Sequence, residues 1–399
     1  MPGGDYARLN NVWQSLTGAP SIPLGVTVQP PSPDWRSSLS LRAPTGQVVF
    51  GCSPTVGTRQ QIEAVWGRRC RLQRVYGGTT ADLPTLLQIC QDLLNVGVIP
   101  CVDFNSSATY AARNFSMTNV GGTGATLWQA QANGYFDAGK SAATSFTGLA
   151  YPGMDDVLVG LGALNPGLCP SNRIFLSKDH EMENANEGGG NGKVVGTAAR
   201  VASGTQTEFR AAWRHMRARE KTLGVTNLEW VFNFASGTTT WGTTMTDTGS
   251  SGFYPGHDAV DVVAWDPYNS AGVRDNTWRA FSNMLNKFGQ LDWWKANFAV
   301  DGADTLALST NGRVYKPAML AEFGTTDSMT DAAGTLFTAA TWATDMAAYL
   351  GIAANSAIFR WLIYYNNSTN TILTNPSYRY TGFGGVGRGS VWAGTDPLV

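Results

Sequence analysis

Residues 174–192 read IFLSKDHEMENANEGGGNG. An apolar run of strand type gives way within a few residues to Asp179, His180, Glu181 and Glu183, and then to a glycine-rich loop. A short apolar run closed by turn residues is the pattern of a buried strand, here with acidic chemistry just past its C-terminal end. A single carboxylate in such a place has a plain reading as a helix cap or a solvated loop residue. The fold therefore depends on whether the pattern recurs.

It recurs seven times. The runs are VVFGCS (48–53), RLQRVYGG (71–78), GVIPCVDFN (97–105), LEWVFNF (228–234), DVVAWDPYN (261–269), PAMLAEFG (317–324) and AIFRWLIYYNN (357–367). Helical patterns fall between most of them. LPTLLQICQDLLNVG starts at Leu83 and stops at Gly97, and EFRAAWRHMRAREKTLG starts at Glu208 and stops at Gly224, its basic residues gathered toward the C-terminal half. Eight buried strands alternating with helices predict an α/β chain with a parallel sheet, and eight is the number at which such a sheet closes into a (β/α)8 TIM barrel. An open doubly wound sheet is the rival, but it calls for a G-x-G-x-x-G turn after the first strand, and VVFGCSPTVG lacks that spacing.

The barrel is assigned to residues 47–399, with a Gly-rich C-terminal tail. Residues 1–46 are read as a short arm packed on it, with a helix around residues 6–16 and then a Pro-rich passage. Two long segments, 105–152 and 236–257, are rich in Gly, Thr, Ser and aromatics and follow strand ends. They are read as long βα loops on the active face.

Composition narrows the function. Charged residues make up 14% and the formal net charge is −1, so no basic field draws in nucleic acid or an anionic membrane. No run approaches the roughly 18 apolar residues that a membrane span needs. The opening MPGGDYARLNN lacks the pattern of a secretion signal. Action outside the cell or at the cell envelope is expected, either after removal of a leader or as part of a larger chain such as a phage tail protein. The 14 Trp, 13 Tyr and 17 Phe fit either a large aromatic core or flat platforms for sugar rings. Five cysteines without C-x-x-C spacing argue against a zinc site or a disulfide framework, and most are read as buried thiols. The three histidines are not clustered, so neither a metal nor another cofactor is expected.

In a barrel the strand ends converge on one mouth. They would bring Tyr76, Asp103, Asn105, His180, Glu181, Asn233, Asp266, Tyr268, Glu322 and Trp361 there. Carboxylates on the fourth and seventh barrel strands suit glycoside hydrolysis by double displacement. One carboxyl protonates the leaving oxygen while the other, about 5 Å away, attacks the anomeric carbon.

Three blocks carry a more specific signal: DHEMEN (179–184), YPGHDAVDVVAWDPYN (254–269) and KPAMLAEFG (316–324). They resemble the fourth, sixth and seventh strand signatures of glycoside hydrolase family 26, retaining (β/α)8 enzymes that include many endo-β-mannanases. The resemblance extends from about residue 48 to the eighth strand. It implies Glu181 as acid/base, His180 as a subsite residue and Glu322 as nucleophile. It also implies Tyr268 as the hydroxyl holding that nucleophile and Trp361 as the ring under the cleaved sugar. The chain departs from the family's H-E-M-N-G continuation by placing Glu183 at the Asn position, so a mannan substrate does not follow from the resemblance. In a continuing strand Glu183 would share Glu181's face and is a second candidate for the acid.

Other candidates keep two readings. His257 could touch substrate or be solvated in its turn, and His215 is read as a surface residue. Asp266 could bind sugar hydroxyls or orient its neighbours. Trp241, Phe253 and Tyr254 could be outer sugar platforms or could pin the loop. The reading is a retaining, endo-acting glycosidase for a polysaccharide. The alternatives are a barrel enzyme for a bacterial envelope arabinan or galactan carried in a virion tail, and a carbohydrate-binding barrel without catalysis.

Overall fold

The computed structural model describes residues 48–54, 58–66, 69–76, 83–105, 126–139, 152–169, 172–182, 204–235, 252–256, 258–271, 276–298, 316–325, 328–366 and 392–393. The expected arm and its helix around residues 6–16 lie outside them. In chain order the strands are β1 (Val48–Pro54), β2 (Leu72–Tyr76), β3 (Ile99–Phe104), β4 (Ile174–Lys178), β5 (Leu228–Ala235), β6 (Val262–Asp266), β7 (Tyr268–Asn269), β8 (Ala318–Thr325), β9 (Ser328–Thr330), β10 (Leu336–Thr338), β11 (Phe359–Asn366) and β12 (Trp392–Ala393). The helices are α1 (Arg59–Trp66), α2 (Leu83–Asn95), α3 (Leu127–Ala132), α4 (Met154–Gly162), α5 (Gln206–Thr222), α6 (Phe281–Leu285), α7 (Gln290–Phe298), α8 (Ala339–Gly351) and α9 (Ala353–Ile358).

The barrel strands follow the order β11-β1-β2-β3-β4-β5-β6-β8, and β8 also pairs with β11, which closes the sheet. The fold is the (β/α)8 barrel, built on the eight runs read from the sequence. β3, β4, β6 and β8 are buried along their whole length. Strands covered on both faces are why these runs read as continuous apolar stretches rather than as alternation.

The chain divides into two compact units. One takes in the described residues of Val75–Phe232 and Thr243–Val260. Within it β3 and β4 pair in parallel, Cys101 opposite Phe175 through Phe104 opposite Lys178, and Leu176 on β4 stands opposite Trp230 on β5. α5 starts with a capping box: Glu208 accepts the Thr205 N–H at 2.7 Å and the Thr205 hydroxyl accepts the Glu208 N–H at 3.3 Å. Its inner stripe packs Phe209 and Trp213 against Trp230 and Phe232, with ring centroids 5.3–6.4 Å apart. Part of the segment read as a loop over 105–152 is helical. α3 lies there, its Trp128 buried against Phe209 at 5.1 Å. A six-residue helix is too short to show periodicity, and its stability comes from that packing.

The other unit takes in the described residues of Leu39–Arg74, Asn233–Gly242 and Asp261–Val399. β1 pairs with β11 from Val49 opposite Trp361 to Pro54 opposite Asn366, and β8 pairs with both β6 and β11. The run read as one sixth strand over 261–269 is broken at Pro267, which has no N–H for the ladder. β7 resumes beyond it and pairs with the end of β8, Tyr268 opposite Gly324. Gly51 is required on β1, because a Cβ there would lie 2.4 Å from the Cβ and carbonyl oxygen of Leu72. β9 and β10 form a small antiparallel hairpin directly after β8. None of the five cysteines forms a disulfide and all are buried, with Cys70 Sγ 3.5 Å from Cys52 Sγ.

Candidate active site

The chemistry gathered on β8 and its neighbours begins with Glu322, whose side chain is 10% exposed. Oε2 accepts the Tyr268 hydroxyl at 2.5 Å, and Oε1 lies 2.9 Å from Nη1 of Arg74. Arg74 stands on β2 and is itself buried. Its Nη1 also donates to the Ala321 carbonyl at 3.0 Å and lies 3.7 Å from Asp266 Oδ2. Asp266, at the end of β6, accepts the Glu322 N–H on Oδ1 at 2.8 Å and the Asn233 amide on Oδ2 at 3.0 Å. Both oxygens of Glu322 therefore have a donor and its backbone is tied down. Two largely buried carboxylates share one guanidinium, and charge-assisted hydrogen bonds are strong in such surroundings.

Of the two readings of Asp266, orientation of neighbours describes the contacts seen, since both of its oxygens are engaged by protein donors. Arg74 lies in the middle of its strand rather than at its end, so strand-end position alone does not point to it. The signal was available, because an arginine inside an apolar run is buried only when it is paired. Trp361 on β11 is 1% exposed.

A second cluster follows β3 and β4. Nδ1 of His180 pairs with Oδ2 of Asp103, both residues being buried. A carboxylate beside Nδ1 favours the tautomer with the proton on that nitrogen. The Tyr76 ring lies 5.9 Å from the His180 ring, tilted by 57°. The sequence places these three residues at strand ends, and the fold brings them together.

β4 then turns sharply. Asp179 and Glu181 both have φ of +50°. Glu181 is half-buried and follows β4 by three residues. Lys178 is fully buried, with its ammonium against the Asp179 carboxylate, whose Oδ2 also accepts the Trp128 indole N–H at 2.9 Å. Burial pushes the Lys178 ammonium below the ordinary lysine value, and Asp179 pulls it back up.

Phe253 and Tyr254 are each 1% exposed. Phe253 packs on Phe209 and Trp128, and Tyr254 packs on Phe232 at 5.3 Å, so of their two readings loop anchoring fits what is seen. His215 differs from the expected surface residue: its Nε2 lies 2.7 Å from Asp137 Oδ1 and the pair is three-quarters buried. Glu183, Trp241 and His257 lie outside the described residues. Among the described residues no cluster of three or more His, Cys, Asp or Glu could hold a metal, and no helix is long and apolar enough to cross a membrane.

No protein-family model matches the chain, and no curated protein matches it in sequence. Solved structures do match in fold. GH26C from Muricauda sp. MAR_2010_75 superposes with a TM-score of 0.51 at 12% identity, covering 90% of this chain and 89% of its own. The catalytic domain of the Bacillus sp. JAMB-750 GH26 endo-β-1,4-mannanase gives 0.50 at 13% identity, covering 89% and 91%. At such identity the likeness shows the (β/α)8 barrel fold and nothing about its chemistry.

Proposed function

We propose that the chain is a retaining glycoside hydrolase that cleaves a polysaccharide through a covalent glycosyl-enzyme, with Glu322 as nucleophile and Glu181 as acid and then base. The observation that carries this reading is the setting of Glu322. Its carboxylate lies in the C-terminal half of β8, is gripped by Tyr268 at 2.5 Å and Arg74 at 2.9 Å, and remains partly accessible. A nucleophilic carboxylate needs fixed orientation and an open face, and active sites of these barrels form at the C-terminal strand ends. Further support comes from the GH26-like fold, since the superposed Bacillus domain is that of an endo-β-1,4-mannanase.

In the first step Glu322 attacks the anomeric carbon, and the bond to the leaving oxygen breaks as Glu181 gives up its proton. In the second step Glu181 takes a proton from water, which displaces Glu322 and restores the starting configuration. The reading requires the two carboxyl groups to approach to about 5 Å, the spacing of retaining rather than inverting enzymes. His180, held by Asp103 and flanked by Tyr76, is proposed as a sugar-hydroxyl contact beside the acid. Trp361 is proposed as the ring under the cleaved sugar, which asks that its face be uncovered when substrate enters.

The test is reducing-end release from mannans, xylans, β-glucans and actinobacterial arabinan and galactan, by wild type and Glu322→Ala. Release by wild type alone supports the reading and names the substrate, and a ladder of oligosaccharides early in digestion marks endo action. Azide added to Glu322→Ala should yield a glycosyl azide of inverted configuration. Equal activity in both proteins rejects Glu322 as nucleophile, and retention on a glycan affinity gel without release by either favours a binding barrel.

A further inference from the structure

We propose that Lys178, Asp179 and Trp128 form a positioning clamp that aims the Glu181 carboxyl; this rests on the assignment of Glu181 as acid/base.

Among the described residues, Asp179 and Glu181 are the two non-glycine residues with positive φ, +50° in each case. Left-handed backbone costs energy for any residue with a Cβ, and for a glutamate no local side-chain bond offsets it as readily as for an aspartate. The turn that carries Glu181 out of β4 is therefore held by its surroundings. Asp179 is where it is held. Its N–H donates to the Phe104 carbonyl at 2.9 Å, and its carboxylate takes the Trp128 N–H at 2.9 Å together with the Lys178 ammonium.

Lys178 is the unexpected member. It is 0% exposed, with the Phe209 ring 5.0 Å and the Trp128 ring 5.8 Å from Nζ. A buried ion pair is a poor source of stability compared with apolar residues of the same volume. What it supplies is direction: the ammonium and the indole N–H converge on Asp179 Oδ2 and hold that oxygen, and with it residue 179, in place. The clamp is anchored in turn. The hydroxyl of Thr126, the N-cap of α3, lies 3.0 Å from Glu208 Oε2, the same oxygen that caps α5. The helix carrying Trp128 is thereby tied to the one carrying Phe209. These three residues act on Glu181 through two residues of backbone, and a misplacement of about 1 Å in a reacting group is worth on the order of 10²-fold in rate.

The experiment compares Lys178→Met, Asp179→Ala, Trp128→Phe and Glu181→Gln on two probes: the polysaccharide that wild type degrades, and the 2,4-dinitrophenyl glycoside of its repeating sugar. Dinitrophenolate leaves without a proton, so kcat/KM on that probe does not need the acid. Lys178→Met and Asp179→Ala should lose on the order of 10²-fold in kcat/KM on polysaccharide and less than about threefold on the aryl glycoside, the pattern of Glu181→Gln. Trp128→Phe keeps an aromatic ring and removes one N–H, so it tests the clamp in a protein that still packs, with an expected loss of about tenfold on polysaccharide alone. Equal losses on both probes, or full polysaccharide activity in Trp128→Phe and Asp179→Ala, would overturn the clamp. Full polysaccharide activity in Glu181→Gln, with Glu322→Ala dead, would instead remove the acid/base assignment on which the clamp depends.

Discussion

Tyr268 donates its hydroxyl to Glu322 Oε2 over 2.5 Å, from a two-residue strand set beyond Pro267 and in register with Gly324 and Thr325 at the end of β8. The proline makes this geometry. By interrupting the sixth run it shifts the pairing with the same strand, β8, by one residue, from Trp265 opposite Leu320 to Tyr268 opposite Gly324, and this places the phenol beside the carboxylate. If Glu322 is the nucleophile, Tyr268→Phe should lower kcat by about 10²-fold, the scale of losing one preorganised donor. The ring keeps its contact with Tyr365, 6.1 Å away, so the melting temperature should move little. Steady-state kinetics and a thermal melt on the same sample check both halves.

Arg74 sets a different expectation, because it serves structure and chemistry together. Arg74→Met leaves Glu322 and Asp266 buried beside each other without a cation, which should cost about 3–5 kcal/mol. Arg74→Lys keeps the charge but loses the guanidinium fork, and it should fall between wild type and Met in urea unfolding. If Met and Lys are equally destabilising, packing of the side chain rather than its charge is what matters.

Asp266 separates a sugar contact from an internal brace. Its Oδ1 takes the Glu322 N–H and its Oδ2 the Asn233 amide, and an asparagine at this position can keep both bonds if the Asn233 amide flips. Asp266→Asn is therefore expected to keep KM near wild type and to lose little stability. Asp266→Leu strands a buried N–H and should cost about 1–3 kcal/mol. A large rise in KM for Asp266→Asn would restore the reading in which this carboxylate binds sugar hydroxyls.

The barrel was legible because its strands are buried on both faces over most of their length and so leave unbroken apolar runs, and because Glu322 and Tyr268 sit at the ends of such runs. Arg74 and Lys178 are not legible from strand position alone, although both lie in those runs. Position along a strand says which residues reach the mouth, but the partners that make a buried charge tolerable come from elsewhere in the chain: Arg74 meets Asp266 and Ala321, and Lys178 meets the ring of Trp128. Trp128 itself was hidden because α3 is too short to show a helical period. The two positive φ values were equally out of reach, since nothing local in KDHEM asks for a left-handed backbone.

The buried thiols give a pH test independent of the site. Cys90 on α2 is fully covered, and burial pushes its pKa up to about 12 from 9.0. Burial also raises Cys70, with further contributions from Cys52 and Glu63. A thiol whose folded pKa is raised keeps its proton where the unfolded chain has lost it, so the folded state binds more protons between the two values. Stability is unaffected by Cys90 below about pH 9 and falls as the pH rises from there toward 12. Cys90→Ala should flatten that part of the stability curve while losing some packing at neutral pH. Iodoacetamide at pH 8 should leave Cys90 unmodified in the folded protein, since only on the order of 10⁻⁴ of such a thiol is thiolate there. Mass spectrometry before and after denaturation reads this directly, and rapid labelling of Cys90 in the native state would mean that α2 opens far more readily than its packing implies.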